Sequence, residues 1–201
     1  SVADTRVLEV SGKDVLLVRR FDRDTHATGA PTRRHMLSAM TLLDLDEYAV
    51  RTGEASYLEL ADVLRQYARD FERDGRELFR RMVFNILIGN TDDHARNHAC
   101  FWDGTALDLT PGYDICPQPR LGYSADLAMV VGHQGRAATL NNALSQAERF
   151  GLSEHEAAEC VDAMKQIVEA HWKELFAAAG MEAGDIEYLA KATILSPWIF
   201  D

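Results

Sequence analysis

Apolar positions alternate or cluster in short runs at the start of the chain, at 6–10 (Arg-Val-Leu-Glu-Val) and 14–20 (Asp-Val-Leu-Leu-Val-Arg-Arg). Ser11-Gly12-Lys13 stands between these β-branched runs and predicts a hairpin turn. Residues 22–34 are polar, hold Gly29 and Pro31, and predict a loop. From about His35 the pattern predicts helix. Ser56 with Glu59, and Asp74 with Glu77, have capping-box spacing. The second pair precedes Leu78, Phe79, Met82, Val83, Ile86 and Leu87, whose three-to-four spacing predicts one buried face. Gly89-Asn90 is a helix-stop pair. Asp103-Gly104 between the apolar runs 99–102 and 106–109 predicts a second hairpin, broken by Pro111-Gly112. Residues 117–138 are Gly-rich and irregular. Ser153 with Glu156 opens a helix through about Ala179, and a short helix follows over roughly 184–193. The predicted class is mostly α with a small β part.

Composition narrows the function classes. A hydrophobic content of 47% in 201 residues is enough for one sizeable core. The net charge of −11 repels a polyanion from the average surface, which argues against a nucleic-acid groove. Arg19, Arg20, Arg23, Arg33 and Arg34 form a local basic cluster, read as a solvated surface. Cys100, Cys116 and Cys160 are too scattered for a zinc knuckle or a disulfide framework and fit reduced thiols in a cytoplasm. No apolar run reaches the ~20 residues of a membrane span.

The candidate chemistry lies in Asn85–Asn97, where an apolar helix meets Gly-Asn-Thr-Asp-Asp-His-Ala-Arg-Asn. Asp92 and Asn97 are five apart, and Asp114 follows the second hairpin inside Leu-Thr-Pro-Gly-Tyr-Asp-Ile. Phosphoryl transfer needs a carboxylate to take the proton of the attacking hydroxyl and hard oxygen ligands for magnesium. An Asp, an Asn five positions on and a second Asp beyond a hairpin is how protein kinases supply them. Each residue also has a plain reading. Asp92, Asp93 and Asn97 suit turns, and Phe21 suits a core. His94 and His98, four apart, could be a metal pair, but no third ligand stands at a telling distance. Asp126 and His133 belong to no motif and read as loop residues.

Ile-Gly-Asn-Thr-Asp-Asp-His-Ala-Arg-Asn, Leu-Thr-Pro-Gly-Tyr-Asp and Val-Leu-Leu-Val-Arg-Arg-Phe-Asp-Arg (15–23) together resemble the HipA-type serine/threonine kinases, the toxin half of HipA–HipB toxin–antitoxin modules. The resemblance implies a single kinase-like C-terminal lobe over 1–201, with hinge strands at 1–23 and a helical lobe at 35–201. It implies Asp92 as catalytic base and His94 beside it against the nucleotide. Asn97 and Asp114 would hold Mg2+. Arg19 and Phe21 would offer backbone groups to the adenine of ATP, and Asp22 would reach the ribose. The implied partner is a HipB-like antitoxin and repressor, so DNA contact would be mainly indirect. The implied substrate is a Ser or Thr of a cytoplasmic protein, an aminoacyl-tRNA synthetase being one such target. The implied place is the cytoplasm, with no membrane.

Two kinase parts have no counterpart. No Gly-rich phosphate loop precedes Val15, and Lys13 sits in the first turn instead of on a strand far upstream. The expectation is a truncated kinase, with the N-terminal lobe absent and the isolated chain binding ATP more weakly than micromolar, which isothermal titration with ATP and magnesium would check. Two other readings stand beside it. One is a non-catalytic kinase-like module that binds a repressor partner. The other is a metal-dependent hydrolase using Asp92, Asp93, His94 and Asp114.

Overall fold

The computed structural model describes residues 1–24, 32–119, 122 and 124–200. The chain opens with an antiparallel hairpin, β1 (Thr5–Val10) and β2 (Lys13–Val18), in which Val10 faces Lys13. Ser11 (φ 54°) and Gly12 (φ 74°) make the tight turn, both in the left-handed region that a two-residue primed turn needs. The segment read as one loop contains a minimal strand pair, β3 (Arg23–Asp24) with β4 (Thr32–Arg33). Gly29 and Pro31 lie outside the described residues.

The helix expected from His35 begins later. Residues His35–Ser38 form strand β5, and helix α1 (Ala39–Leu42) starts only after the Ser38 cap. β5 pairs with β6 (Ala99–Trp102), placing Leu37 opposite Cys100, and β6 pairs with β7 (Leu107–Leu109). A partner so distant in sequence outweighs the local pattern.

α2 (Glu47–Thr52) is short and capped by Asp46. α3 (Tyr57–Tyr67) is capped by the Ser56 hydroxyl, which accepts from the backbone N–H groups of Leu58 and Glu59. α4 (Phe71–Ile88) starts one turn before the expected Asp74 box, because the Asp70 carboxylate caps it through the Arg73 N–H. Asp74 is instead buried inside the first turn, bonded to Arg73 and to the Leu109 N–H of β7. Gly75 has a close neighbour, since a Cβ there would stand 2.5 Å from the Phe150 carbonyl oxygen. Gly89 ends α4 at φ 69°, as the stop pair predicts.

The Leu78, Phe79, Met82, Val83, Ile86 and Leu87 face is wholly buried and packs with Leu60 and Leu64 of α3. α5 (Leu140–Leu144), α6 (Glu154–Ala178) and α7 (Ala183–Ala192) complete the helical body. The Ser153–Glu156 capping box of α6 is fully formed. Helices are the largest part of the result, about half of the chain, alongside small antiparallel sheets. At the chain start, Ala3 N–H donates to Gly112 O at 2.8 Å and Gly112 N–H to Ser1 O at 3.0 Å, tying the first hairpin to the segment that carries Asp114.

Candidate active site

The loop after α4 is built around one buried carboxylate. Asp93 Oδ2 lies 2.8 Å from His98 Nε2 and accepts from Asn85 Nδ2 at 2.6 Å and from the Tyr57 hydroxyl. Asn90 Nδ2 donates to Asn85 Oδ1 at 3.1 Å, extending the cluster along the helix end. Burial pushes the Asp93 carboxyl up, but the charge and hydrogen bond of His98, the Tyr57 hydroxyl and the charge of His94 outweigh it, and the net shift is downward. Burial, then the Asp93 charge, pushes the Tyr57 hydroxyl well up, so it remains a donor. The His98 ring meets the Tyr57 ring edge-on at 5.3 Å.

With Asp93 turned inward, Asp92 is exposed. Asn97 is buried at the end of a single 3-10 turn, Ala95–Asn97. Its backbone N–H donates to His94 O at 2.8 Å, and its Nδ2 to Asp92 O at 3.3 Å. The Asp92–Asn97 spacing therefore closes a compact loop. His94 is half-buried, and its Nδ1 is buried with no hydrogen-bond partner.

The second motif segment lies against this loop. The Tyr113 hydroxyl donates to Arg96 O at 2.7 Å, and Gln118 N–H to Gly89 O at 3.0 Å. Burial pushes the Tyr113 hydroxyl up to about 12, keeping it protonated. Arg81, buried on α4, donates to Thr110 O at 2.5 Å just before the Pro111-Gly112 turn. Asp114 is exposed and holds φ 57°, a left-handed conformation that Asp tolerates better than most residues. It borders a cleft of about 820 Å³ between the first hairpin and the helical body. Leu16 and Val18 of β2, Phe21, Met36, Phe84 and Ile115 give that cleft apolar walls.

Phe21 lines the cleft and packs on Phe101 (6.2 Å between centroids) and Tyr113 (5.6 Å), so its side chain fastens the segment after β2 to the body. Arg19 is exposed, and its N–H is already used by Asp4 O at 2.8 Å. The Asp22 carboxylate is held by Arg20 at 2.8 and 2.6 Å, which draws its pKa down. Of the basic cluster, Arg34 lies 3.4 Å over the Phe101 ring. His98 does not form a metal pair with His94, because its Nε2 belongs to Asp93. Among the described residues there is no group of three or more His, Cys, Asp or Glu side chains placed to hold a metal ion. The three cysteines are free, and no described helix is long and apolar enough to cross a membrane.

The sequence pattern gives Asp93 only as a turn residue or a hydrolase ligand, Asn90 only as half of a helix stop, and no role to Asn85 or Tyr57, so their shared cluster goes unread. The available signal is Asn85, a polar residue set between the apolar positions Met82 and Ile86.

A family model described as HipA-like C-terminal domain matches residues 1–172. A protein of Sinorhizobium fredii named "Putative kinase Y4mE" is 26% identical over 117 residues, covering 57% of this chain and 28% of the relative. A "Putative kinase" of Haemophilus influenzae is 30% identical over 120 residues, covering 56% of this chain and 34% of the relative. Among solved structures, a chain of the Shewanella oneidensis complex of HipA, HipB and operator DNA superposes with a TM-score of 0.73 at 17% identity, over 94% of this chain and 48% of that one. The chain thus matches about a third of the two curated relatives and about half of the solved chain.

Proposed function

The chain belongs to the HipA-like C-terminal domain family, and we propose that it is the lobe of an ATP-dependent protein kinase that carries the catalytic base and the metal ligands. The observation that carries this reading is the Tyr113–Arg96 hydrogen bond, which fastens the segment bearing Asp114 to the loop bearing Asp92 and Asn97. The names of the two curated relatives support the same class. In this reading Asp92, exposed at the loop tip, takes the proton of the attacking Ser or Thr hydroxyl. His94, with one ring nitrogen unpartnered, stands beside it against the nucleotide.

In this reading Asp114 lines the nucleotide cleft, and Asp92, His94 and Asn97 approach it from the adjoining loop. Apolar cleft walls suit an adenine ring, and the Asp114 carboxylate at the rim suits a magnesium–phosphate group. Asn97 and Asp114 would supply two hard oxygens, and magnesium would take its remaining ligands from phosphate and water. The metal's contribution is to neutralise charge on the transferring phosphate. At the hinge, adenine would be met by backbone near Arg19 and Phe21. The Arg20 pairing of Asp22 leaves ribose contact to a rearranged carboxylate.

The natural partner in this proposal is a HipB-like repressor, of the kind present with HipA in the Shewanella complex, and DNA contact would be indirect through it. The substrate is a cytoplasmic protein. The test uses the full-length gene product that carries these residues, with ATP and magnesium. Asp92→Asn should lower phosphate transfer by about 10²–10⁴-fold. Equal transfer by both proteins would remove Asp92 as base. If neither transfers phosphate while both bind a repressor partner, the module is a non-catalytic one.

A further inference from the structure

The loop motif contains two adjacent aspartates, and the kinase reading uses only the first. Asp93 is 1% exposed and His98 2%, so neither meets a ligand at the surface. All three side-chain contacts recorded for the Asp93 carboxylate end on one oxygen, Oδ2. They come from three separate parts of the fold: Tyr57 in the first turn of α3, Asn85 near the end of α4, and His98 at the entry to β6. Asn97, between Asp93 and His98, closes the loop onto the Asp92 carbonyl.

We propose that Asp93 Oδ2 is the anchor that sets the position of the Asp92–Asn97 loop, with His98 and Tyr57 as positioning residues for phosphate transfer. This rests on the kinase reading and deepens it. The geometry divides the aspartate pair. Residue 92 is free to meet substrate because residue 93 is turned the other way and held from three sides. A carboxylate accepting three donors at one atom also fixes the loop more tightly than a turn hydrogen bond, because its charge strengthens each bond. A displacement of about 1 Å at a reacting group can cost about 10²-fold in rate, so a loosened anchor should appear in kcat before it appears in nucleotide affinity.

The experiment compares His98→Phe, His98→Gln and Tyr57→Phe in the full-length gene product, with Val168→Ala as a control. Val168 is buried on α6 and makes none of the hydrogen bonds of the Asp93 cluster. Phe removes the donor to Asp93, whereas Gln keeps an amide donor at similar reach. His98→Phe should lower kcat by about 10–100-fold with KM for ATP changed less than about 3-fold. Tyr57→Phe should do the same to a smaller degree, and His98→Gln should recover most of the loss. Hydrogen exchange of the Thr91–Asn97 amides should speed up in His98→Phe, but not in His98→Gln or Val168→Ala. Equal loss in the Phe and Gln variants, or a Val168→Ala loss of kcat as large as that of His98→Phe, would overturn the proposal. If the wild type transfers no phosphate, the kinase reading fails by itself, and the exchange measurement still decides whether Asp93 anchors the loop.

Discussion

The β1–β2 hairpin and the β6–β7 hairpin are both antiparallel pairs closed by short turns, yet they live in opposite surroundings. In the first, Val7, Leu16, Leu17 and Val18 are all exposed, and its conformation rests on strand pairing and a left-handed turn. In the second, Ala99, Cys100, Phe101 and Leu107 are buried against the helical body, and burial pushes the Cys100 thiol up to about 12. The turn of the second is also wired, since Asp103 accepts from the N–H groups of Thr105 and Ala106. The loop that feeds β6 extends the same environment, and there the candidate chemistry lies. A two-stranded ribbon is marginal alone, so fixed geometry at the candidate site has to come from the packed region, while the bare ribbon supplies one wall of the cleft.

The largest test of this contrast strikes the packed side at its charged centre. Asp93→Ala leaves the Tyr57 hydroxyl and His98 Nε2 buried without their acceptor and the Asn85 amide with only its long bond to Tyr57, and urea unfolding should show a loss of about 3–5 kcal/mol. Next comes a matched pair of leucines. Leu107 in β7 is 3% exposed and Leu16 in β2 is 62% exposed. Leu107→Ala should cost about 2–4 kcal/mol, whereas Leu16→Ala should stay within about 0.5 kcal/mol. Similar costs at the two positions would erase the difference between the ribbons.

A smaller effect concerns pH. Tyr113 has its folded pKa raised to about 12, above the ordinary value of 10.0, by burial. Its neutral form is therefore the one folding favours. The contribution is complete below pH ~10 and is lost as pH rises toward 12. Alkaline unfolding should be shallower in Tyr113→Phe than in the wild type over that window, and Leu16→Ala should leave the slope unchanged.

The parts of the fold that the sequence revealed are those with local causes. The α6 cap is two side chains three residues apart, and the Gly89 stop is one backbone angle. The β5 strand lies where the local pattern predicts helix, because its reason is β6, far downstream in the chain. The start of α4 was misplaced because Asp70 and Asp74 are equally plausible caps, and only the Leu109 N–H shows that Asp74 points inward. The candidate site divides the same way. Asp92, Asn97 and Asp114 were legible as a spacing. The anchor was not, because two neighbouring aspartates look alike until Tyr57 and Asn85 are seen to reach one of them.

Asp114 carries one more consequence. A non-glycine residue in the left-handed region stores on the order of 1–3 kcal/mol that the surroundings must hold, and Asn is among the few residues that share Asp's tolerance of it. Charge and backbone shape at this position can therefore be uncoupled. Asn preserves the bend and deletes the carboxylate, Gly preserves neither the carboxylate nor the restraint, and Ala disturbs both. Under the kinase reading, a form that is silent but keeps the native backbone at this bend is Asp114→Asn, since it removes the proposed metal ligand without asking another residue type to hold the left-handed angle.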